Sequence, residues 1–106
     1  MMMSENQEKF TKKVVVVTGG ASGIGRAISK AFAQAGASVA VLDVNLEIAQ
    51  DLARELGNGS IALSCDVTDL TSIDKSISSV IKEYSKIDIL VNSAGDRKST
   101  RLNSSH

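Results

Sequence analysis

The sequence is poor in several residue types that mark particular classes of protein. Its 106 residues include no proline, one cysteine and only 3% aromatic side chains. A single cysteine, Cys65, excludes an internal disulfide and a cysteine-based metal cluster, so no metal site is predicted. The few aromatic side chains fit tight packing of helices on a sheet better than a sandwich with an aromatic core. Because 42% of the residues are apolar, the composition also argues against disorder.

The sequence also has no net charge and no long hydrophobic run. Twelve basic residues balance twelve acidic ones, and this neutrality argues against a general nucleic-acid binder. No apolar run reaches the roughly 18 residues that span a bilayer. Residues 1–11 lack the apolar core of a secretory signal and are predicted to be a flexible N-terminal segment. We therefore expect a cytoplasmic protein with neither a membrane nor a nucleic-acid partner.

Short apolar runs alternate with segments of helical periodicity. Val14–Val17 is apolar at consecutive positions, which is typical of a strand covered on both faces. Similar runs predict strands at 39–42, 60–65 and 87–91. Strand–helix alternation with short links is the pattern of βαβ units. The sequence therefore predicts an α/β fold with an open, doubly wound parallel sheet.

Three helices are predicted between these strands. Asn45 and Asp69 stand where they can cap the second and third helices, and Gly36 and Gly57 stand where the first two should stop. In the first helix, apolar residues recur with helical spacing and predict the face that packs on the sheet; they are Ile24, Ala27, Ile28, Ala31, Phe32 and Ala35.

A glycine-rich loop, residues 18–25 (TGGASGIG), joins the first strand to the first helix. Glycine there permits a tight turn, lets backbone approach a pyrophosphate and allows close helix–strand packing. The helix N-terminus offers free N–H groups to the phosphates. No Gly-Lys-Ser/Thr follows, which excludes a P-loop. A methyltransferase would usually carry an acidic residue where Thr18 stands, so that alternative is disfavoured but stays open.

Asp43 ends the second predicted strand, 18 positions after Gly25. This is close to the spacing of about 20 residues expected for a carboxylate that binds the adenosine ribose of a dinucleotide. A carboxylate accepts hydrogen bonds from both ribose hydroxyls of NAD and repels the 2′-phosphate of NADP. No Arg or Lys follows nearby to receive that phosphate, so the sequence favours NAD over NADP.

Taken together, these motifs resemble one known family, the short-chain dehydrogenases/reductases. Residues 18–25 resemble its cofactor loop. Residues 65–67 (Cys-Asp-Val) resemble its third-strand ending, and 92–95 (Asn-Ser-Ala-Gly) resemble its Asn-Asn-Ala-Gly motif, from which Ser93 departs. The resemblance covers residues 12–95 and implies the N-terminal part of a Rossmann-type domain, truncated after the fourth strand. The glycine spacing fits the shorter, single-domain branch.

The resemblance also implies a function and a set of cofactor contacts. Family members move a hydride between a nicotinamide cofactor and an alcohol or carbonyl compound, and they are often homo-oligomers. By the same resemblance, Asp66 binds the adenine amino group and the Val67 backbone binds another ring atom. The residues expected to contact the cofactor are Gly19, Ser22, Gly23, Ile24, Gly25, Asp43, Asp66, Val67, Asn92, Ala94 and Gly95.

The family's catalytic pair, a Tyr and a Lys four positions later, has no counterpart in the sequence. The only tyrosine is Tyr84, which continues a helical apolar stripe, and the residue four positions on is Asp88. Cys65 fits a small buried residue better than a nucleophile. We therefore predict no catalytic residue and expect the 106-residue chain to be inactive. A non-catalytic dinucleotide-binding module is the alternative function.

The last segment, residues 96–106 (DRKSTRLNSSH), differs abruptly from what precedes it. It is polar and without pattern, and its order matches a common sequencing-adapter string translated in one frame. We expect it to be a translated adapter and exclude it from the domain. The remaining residues carry nine basic and eleven acidic side chains, so the neutrality of the whole chain comes partly from this segment.

Overall fold

The computed structural model describes residues 9–93. The predictions for Ala94, Gly95 and residues 96–106, and for residues 1–8 of the N-terminal segment, concern residues outside this part. Strands and helices alternate strictly in it: β1 (Val14–Thr18), α1 (Gly23–Gln34), β2 (Ser38–Asp43), α2 (Leu46–Leu56), β3 (Ile61–Ser64), α3 (Leu70–Tyr84) and β4 (Ile89–Asn92).

The four strands form one parallel sheet in the order β3-β2-β1-β4. The chain moves outward from β1 to β3, and β4 then returns to the free side of β1. The winding direction therefore reverses between β1 and β4, which makes the sheet doubly wound and confirms the predicted fold class. In such sheets ligands bind beyond the carboxyl ends of the strands at this reversal.

Both faces of the sheet are covered by helices. One core joins α1 and α2 to the inward side chains of alternate strand positions such as Val15 and Val41. The second core joins α3, through Val80, to the opposite positions such as Val16 and Leu42. Burial on both faces explains why the strands read as continuous apolar runs.

The predicted sheet-packing face of α1 is partly wrong. Ile24 is 73% exposed, and the buried residues of this helix are instead Gly25, Ser29 and Ala33. These are small residues spaced four apart, so α1 lies close to the sheet along a line of short side chains. Larger side chains such as Phe32 pack at the side of that line.

The helix ends follow the predicted signals. The Asn45 side chain accepts a hydrogen bond from the backbone of α2, and Asp69 does the same for α3. Gly36 and Gly57 both have positive φ, at 99° and 68°, which is the conformation that favours glycine after a helix.

The fourth strand begins two residues later than predicted, at Ile89. Asp88 accounts for the difference, because its carboxylate Oδ2 accepts a hydrogen bond from Val14 N at 2.8 Å. A side chain thus takes the place of a backbone carbonyl at this end of the ladder. Among residues 9–93, no helix combines the length and the apolar character needed to cross a membrane.

Candidate functional site

The carboxyl ends of β1 and β4 are joined by hydrogen bonds from side chains. Thr18 Oγ1 donates to Asn92 Oδ1 at 2.8 Å. Ser93 Oγ donates to the Thr18 carbonyl at 2.7 Å, and Ser93 N donates to the same oxygen at 3.2 Å. These contacts hold the start of the glycine-rich loop against the end of β4, at the point where the sheet reverses direction.

The loop folds back so tightly on the first turn of α1 that side chains are excluded. A Cβ at Gly25 would lie 2.1 Å from the Gly19 carbonyl oxygen and 2.5 Å from Ser93 Oγ. A Cβ at Gly20 would lie 2.8 Å from the Val17 carbonyl oxygen. By contrast, a Cβ at Gly23 would have nothing within 4 Å, but φ there is 55°. The loop is therefore closed on its inner side and open on its outer side.

The N-terminus of α1 has the chemical character of a site that can hold an anion. Its N-cap residue, Ser22, makes no side-chain capping bond in the described structure, and the first turn holds no acidic residue. Helix α2 differs, since Asn45 caps it and Glu47 lies in its first turn. The first N–H groups of any helix lack internal partners, and the helix dipole adds partial positive charge there. Uncapped in this way, α1 fits a phosphate group.

Asp43 lies at the end of β2, directly beside the loop. Its Oδ2 accepts a hydrogen bond from Ala21 N at 3.1 Å, and its Oδ1 accepts one from Asn45 N at 3.1 Å. Each carboxylate oxygen has two lone pairs, so both oxygens can still accept a further hydrogen bond. The contact with Ala21 joins residues 22 positions apart, and the motif spacing does not predict it.

Asp66 follows β3 at the same edge of the sheet, with its carboxylate held in place. Its Oδ1 accepts hydrogen bonds from Thr68 Oγ1 at 2.6 Å and Thr68 N at 3.0 Å. These two bonds, the side-chain one first, lower the pKa of Asp66 below its usual value. The exposed carboxylate is therefore ionised at neutral pH and can accept a hydrogen bond from an amino group. Val67, half-buried, follows it.

Backbone contacts bring β2 and β3 together at this edge, since Cys65 N donates to the Asp43 carbonyl at 3.1 Å. Cys65 itself is 3% exposed. The structure thus places at one edge of the sheet all the predicted cofactor contacts that it describes: Gly19, Ser22, Gly23, Ile24, Gly25, Asp43, Asp66, Val67 and Asn92.

Tyr84 lies at the opposite edge, where its hydroxyl donates a hydrogen bond to the Gly59 carbonyl. Burial, with a smaller contribution from Glu83, raises the pKa of Tyr84 to about 12. A groove of about 380 Å³ also lies at that edge, between the C-terminal ends of α1 and α2, and is lined in part by Lys30 and Asn58. None of the predicted cofactor contacts lines the groove.

Comparison with known proteins identifies the family to which the chain belongs. The model of the short chain dehydrogenase family matches residues 13–105. The chain belongs to the short-chain dehydrogenase family. The matched residues extend past Gly95, so the boundary at Asp96 stays a prediction.

Curated relatives in this family include polyol dehydrogenases. The chain is 49% identical over 86 residues to D-threitol dehydrogenase of Mycolicibacterium smegmatis, covering 78% of this chain and 33% of the relative. It is 44% identical over 87 residues to the NAD-dependent glycerol dehydrogenase of Listeria innocua, covering 81% and 34%. The chain therefore spans about a third of the length of the curated relatives it matches.

A solved structure of the family has the same fold. It is the 3-ketoacyl-(acyl-carrier-protein) reductase of Brucella melitensis, complexed with NADH. The TM-score is 0.73 at 31% sequence identity, and the match covers 76% of this chain and 34% of the reductase. The fold described above is thus similar to that of a family member whose structure was solved in complex with NADH.

Proposed function

We propose that this chain is the NAD-binding half of an oxidoreductase that interconverts an alcohol and a carbonyl compound. The observation that carries the proposal is the uncapped N-terminus of α1, which lies behind a glycine loop and beside Asp43. The helix N-terminus binds the diphosphate through the backbone N–H groups of Ser22, Gly23, Ile24 and Gly25. Gly19, whose own N–H bonds to the Leu42 carbonyl, lets the loop backbone come close to the diphosphate. When bound, the nicotinamide ring supplies the hydride chemistry, and this chain's residues hold the cofactor in place.

The preference for NAD rests on the charge beside the loop. The Asp43 carboxylate stands where the adenosine ribose is expected, and its remaining lone pairs suit two hydroxyl groups. A 2′-phosphate would meet this negative charge, and residues 44–50 contain no Lys or Arg to neutralise it. The name of the Listeria relative, an NAD-dependent enzyme, agrees with this assignment.

The adenine contact rests on the fixed carboxylate of Asp66. Thr68 occupies its Oδ1, which leaves Oδ2 for the adenine amino group. The Val67 backbone is assigned to another ring atom. Asn92, Ala94 and Gly95 are assigned to the nicotinamide side of the cofactor. Asn92 ends β4, the other two come after it in the sequence, and β4 lies on the far side of β1 from the strand that carries Asp43.

We assign no residue of this chain to the chemical step. A general acid or base works best with a pKa near the operating pH, whereas Tyr84 has a pKa of about 12 and lies at the opposite edge of the sheet. The 106-residue chain is therefore proposed to bind NAD without turnover. The family's Tyr and Lys pair belongs to a segment beyond the domain proposed here, residues 12–95.

For the full-length protein we propose a polyol or another secondary alcohol as substrate. The names of the D-threitol and glycerol dehydrogenases support this class. We also propose a cytoplasmic location, and family resemblance adds a homo-oligomer to the proposal.

The test starts from the source DNA, read outward from the codons for Asn92. A reading frame that continues to a Tyr-x-x-x-Lys motif supports the proposal, and its product is then titrated with NADH and NADPH by fluorescence. We expect NADH to bind at least about tenfold more tightly, a difference of about 1.4 kcal/mol. The same product should reduce NAD in the presence of glycerol or D-threitol.

Asp51→Ala is the matched control for Asp43→Ala. Asp51 is an exposed carboxylate of α2 whose one ion pair within residues 9–93 is with Arg54, so its removal changes the net charge equally but leaves the site intact. Asp43→Ala should reduce the preference for NADH, and Asp51→Ala should not. Tight binding of S-adenosylmethionine without NADH binding would instead establish the methyltransferase alternative. A stop codon after His106 would leave a dinucleotide-binding module.

A further inference from the structure

The glycine-rich loop is held at its start by the end of β2. Gly19 N and Gly20 N both donate to the Leu42 carbonyl, at 2.7 and 3.2 Å. Ala21 N, the next donor, bonds to the Asp43 carboxylate at 3.1 Å. Three consecutive N–H groups of the loop are thus used within the protein. The donors for a ligand are those that follow, at the N-terminus of α1.

The loop therefore has an anchored half, residues 19–21, and a ligand-facing half, residues 22–25. Two of the three anchoring bonds go to a backbone carbonyl and persist whatever the side chains are. The third depends on one side chain, that of Asp43. Ala21 is 3% exposed, so water has little access to its N–H if the carboxylate is removed. A buried donor left without a partner is costly, and the loop would move to satisfy it.

We propose that Asp43 is a positioning residue for the diphosphate, in addition to its proposed contact with the ribose. Its carboxylate holds Ala21 N, and so keeps the start of α1 in the conformation that receives the phosphates before any cofactor binds. A second bond, from Asn45 N to Oδ1 at 3.1 Å, fixes the orientation of the carboxylate. This inference rests on the proposed function, because it assumes that a dinucleotide binds at the loop.

The ribose-binding role and the positioning role predict different changes in affinity for a ligand without ribose hydroxyls when Asp43 is removed. 2′,3′-Dideoxyadenosine diphosphate keeps the diphosphate but offers the carboxylate nothing to bind. If Asp43 acted through the ribose alone, its removal would leave the affinity for this ligand unchanged. The affinity could even rise, because a negative charge near the diphosphate is lost. If Asp43 positions the loop, the affinity falls in spite of that loss of charge.

The experiment uses the full-length protein encoded by the source DNA and measures binding of NADH, ADP and 2′,3′-dideoxyadenosine diphosphate by calorimetry. Wild type is compared with Asp43→Ala, Asp43→Asn and the charge control Asp51→Ala. Asp43→Asn keeps the size of the side chain but replaces one acceptor oxygen by a donor group, so it cannot accept from both Ala21 N and Asn45 N. The Asp43→Asn variant replaces Asp43→Ala in the comparison if the alanine variant fails to fold.

We expect Asp43→Ala to bind the dideoxy ligand at least about tenfold more weakly, the size expected for one hydrogen bond to a charged acceptor. Asp43→Asn should also bind it more weakly but by a smaller factor, because its single neutral oxygen forms a weaker bond with only one of the two donors. Asp51→Ala should bind it as wild type does. In the ligand-free protein, hydrogen exchange at the Ala21 amide should become at least about tenfold faster in Asp43→Ala, and faster by a smaller factor in Asp43→Asn. Hydrogen exchange within β2 should not change, because the proposed effect is local to the loop and does not lower the stability of the whole fold.

The outcomes separate this inference from the function on which it rests. If wild type binds NADH and the Asp43 variants keep or increase their affinity for the dideoxy ligand, the positioning role is overturned and the dinucleotide function stands. If wild type binds neither NADH nor ADP, the proposed function is overturned, and the inference with it.

Discussion

Replacing Gly25 by alanine tests how closely the loop and α1 approach each other. The residue lies in the first turn of the helix, where alanine is intrinsically favoured over glycine by about 1 kcal/mol. The new Cβ, however, would lie 2.1 Å from the Gly19 carbonyl oxygen, more than about 1 Å inside normal contact distance. A backbone oxygen cannot rotate away as a side chain can, so either the loop or the helix must move.

Overpacking of this kind costs about 1–3 kcal/mol, and a rigid backbone partner places Gly25→Ala at the upper end. Subtracting the gain in helix propensity leaves the variant about 2 kcal/mol less stable than wild type. Urea denaturation of the full-length protein, followed by circular dichroism, measures this difference. Because the displaced loop carries the proposed diphosphate contacts, NADH affinity should also fall by at least about tenfold.

Ser93 provides the internal control for Gly25→Ala, because its Oγ would lie 2.5 Å from the added Cβ. Ser93→Ala removes that contact, so its effect should depend on whether residue 25 is glycine or alanine, with a coupling energy of about 1 kcal/mol. The same cycle with Gly23→Ala should show no coupling, since a Cβ there meets nothing within 4 Å. A Gly25→Ala protein as stable as wild type would refute the reasoning.

Three further predictions concern the other edge of the sheet. The hydrogen bond from Val14 N, with a smaller contribution from Lys86, lowers the pKa of Asp88. Asp88 therefore stabilises the fold above its unfolded-state pKa of 3.8. The stability difference between wild type and Asp88→Asn should shrink as the pH falls below about 4 in acid-titration melts. Tyr84, whose folded pKa is about 12, should not ionise at pH 10–11 when followed by absorbance in the native protein, but should do so in urea. The stability that it contributes is lost only as the pH rises from about 10 towards 12. Asn58 has φ of 53° and donates to two carbonyls, so Asn58→Gly should keep the turn and lose about 1 kcal/mol in urea denaturation, and Asn58→Ala should lose more.

Features that depend on neighbouring residues were predictable from the sequence. The capping roles of Asn45 and Asp69 and the positive φ of Gly36 and Gly57 depend only on a residue's own helix. The buried strands were also predictable, because a strand in a sheet covered on both faces needs consecutive apolar residues, and that pattern is visible within a few neighbouring positions.

Features that depend on how closely two elements pack were not predictable from the sequence. Hydrophobic periodicity assigned Ile24 to the face of α1 that packs on the sheet, whereas the structure buries Gly25 and Ser29. The periodicity rule weights large side chains, and here the close approach of backbones decides which face turns inward. The contact between Asp43 and Ala21 N also escaped prediction, because it depends on where the loop lies relative to β2.

The strand order has a consequence for how the protein is made. β1 leaves the ribosome first, yet one of its neighbours, β4, follows 74 residues later, which takes about 4–15 s at cellular rates of synthesis. During that interval β1 can pair with β2, and the loop can engage Asp43. The bonds from Ser93 to Thr18 form only after β4 has emerged. The proposed nucleotide site is therefore completed only at the end of this stretch of synthesis, so ligand binding by a nascent chain would report when β4 joins the sheet.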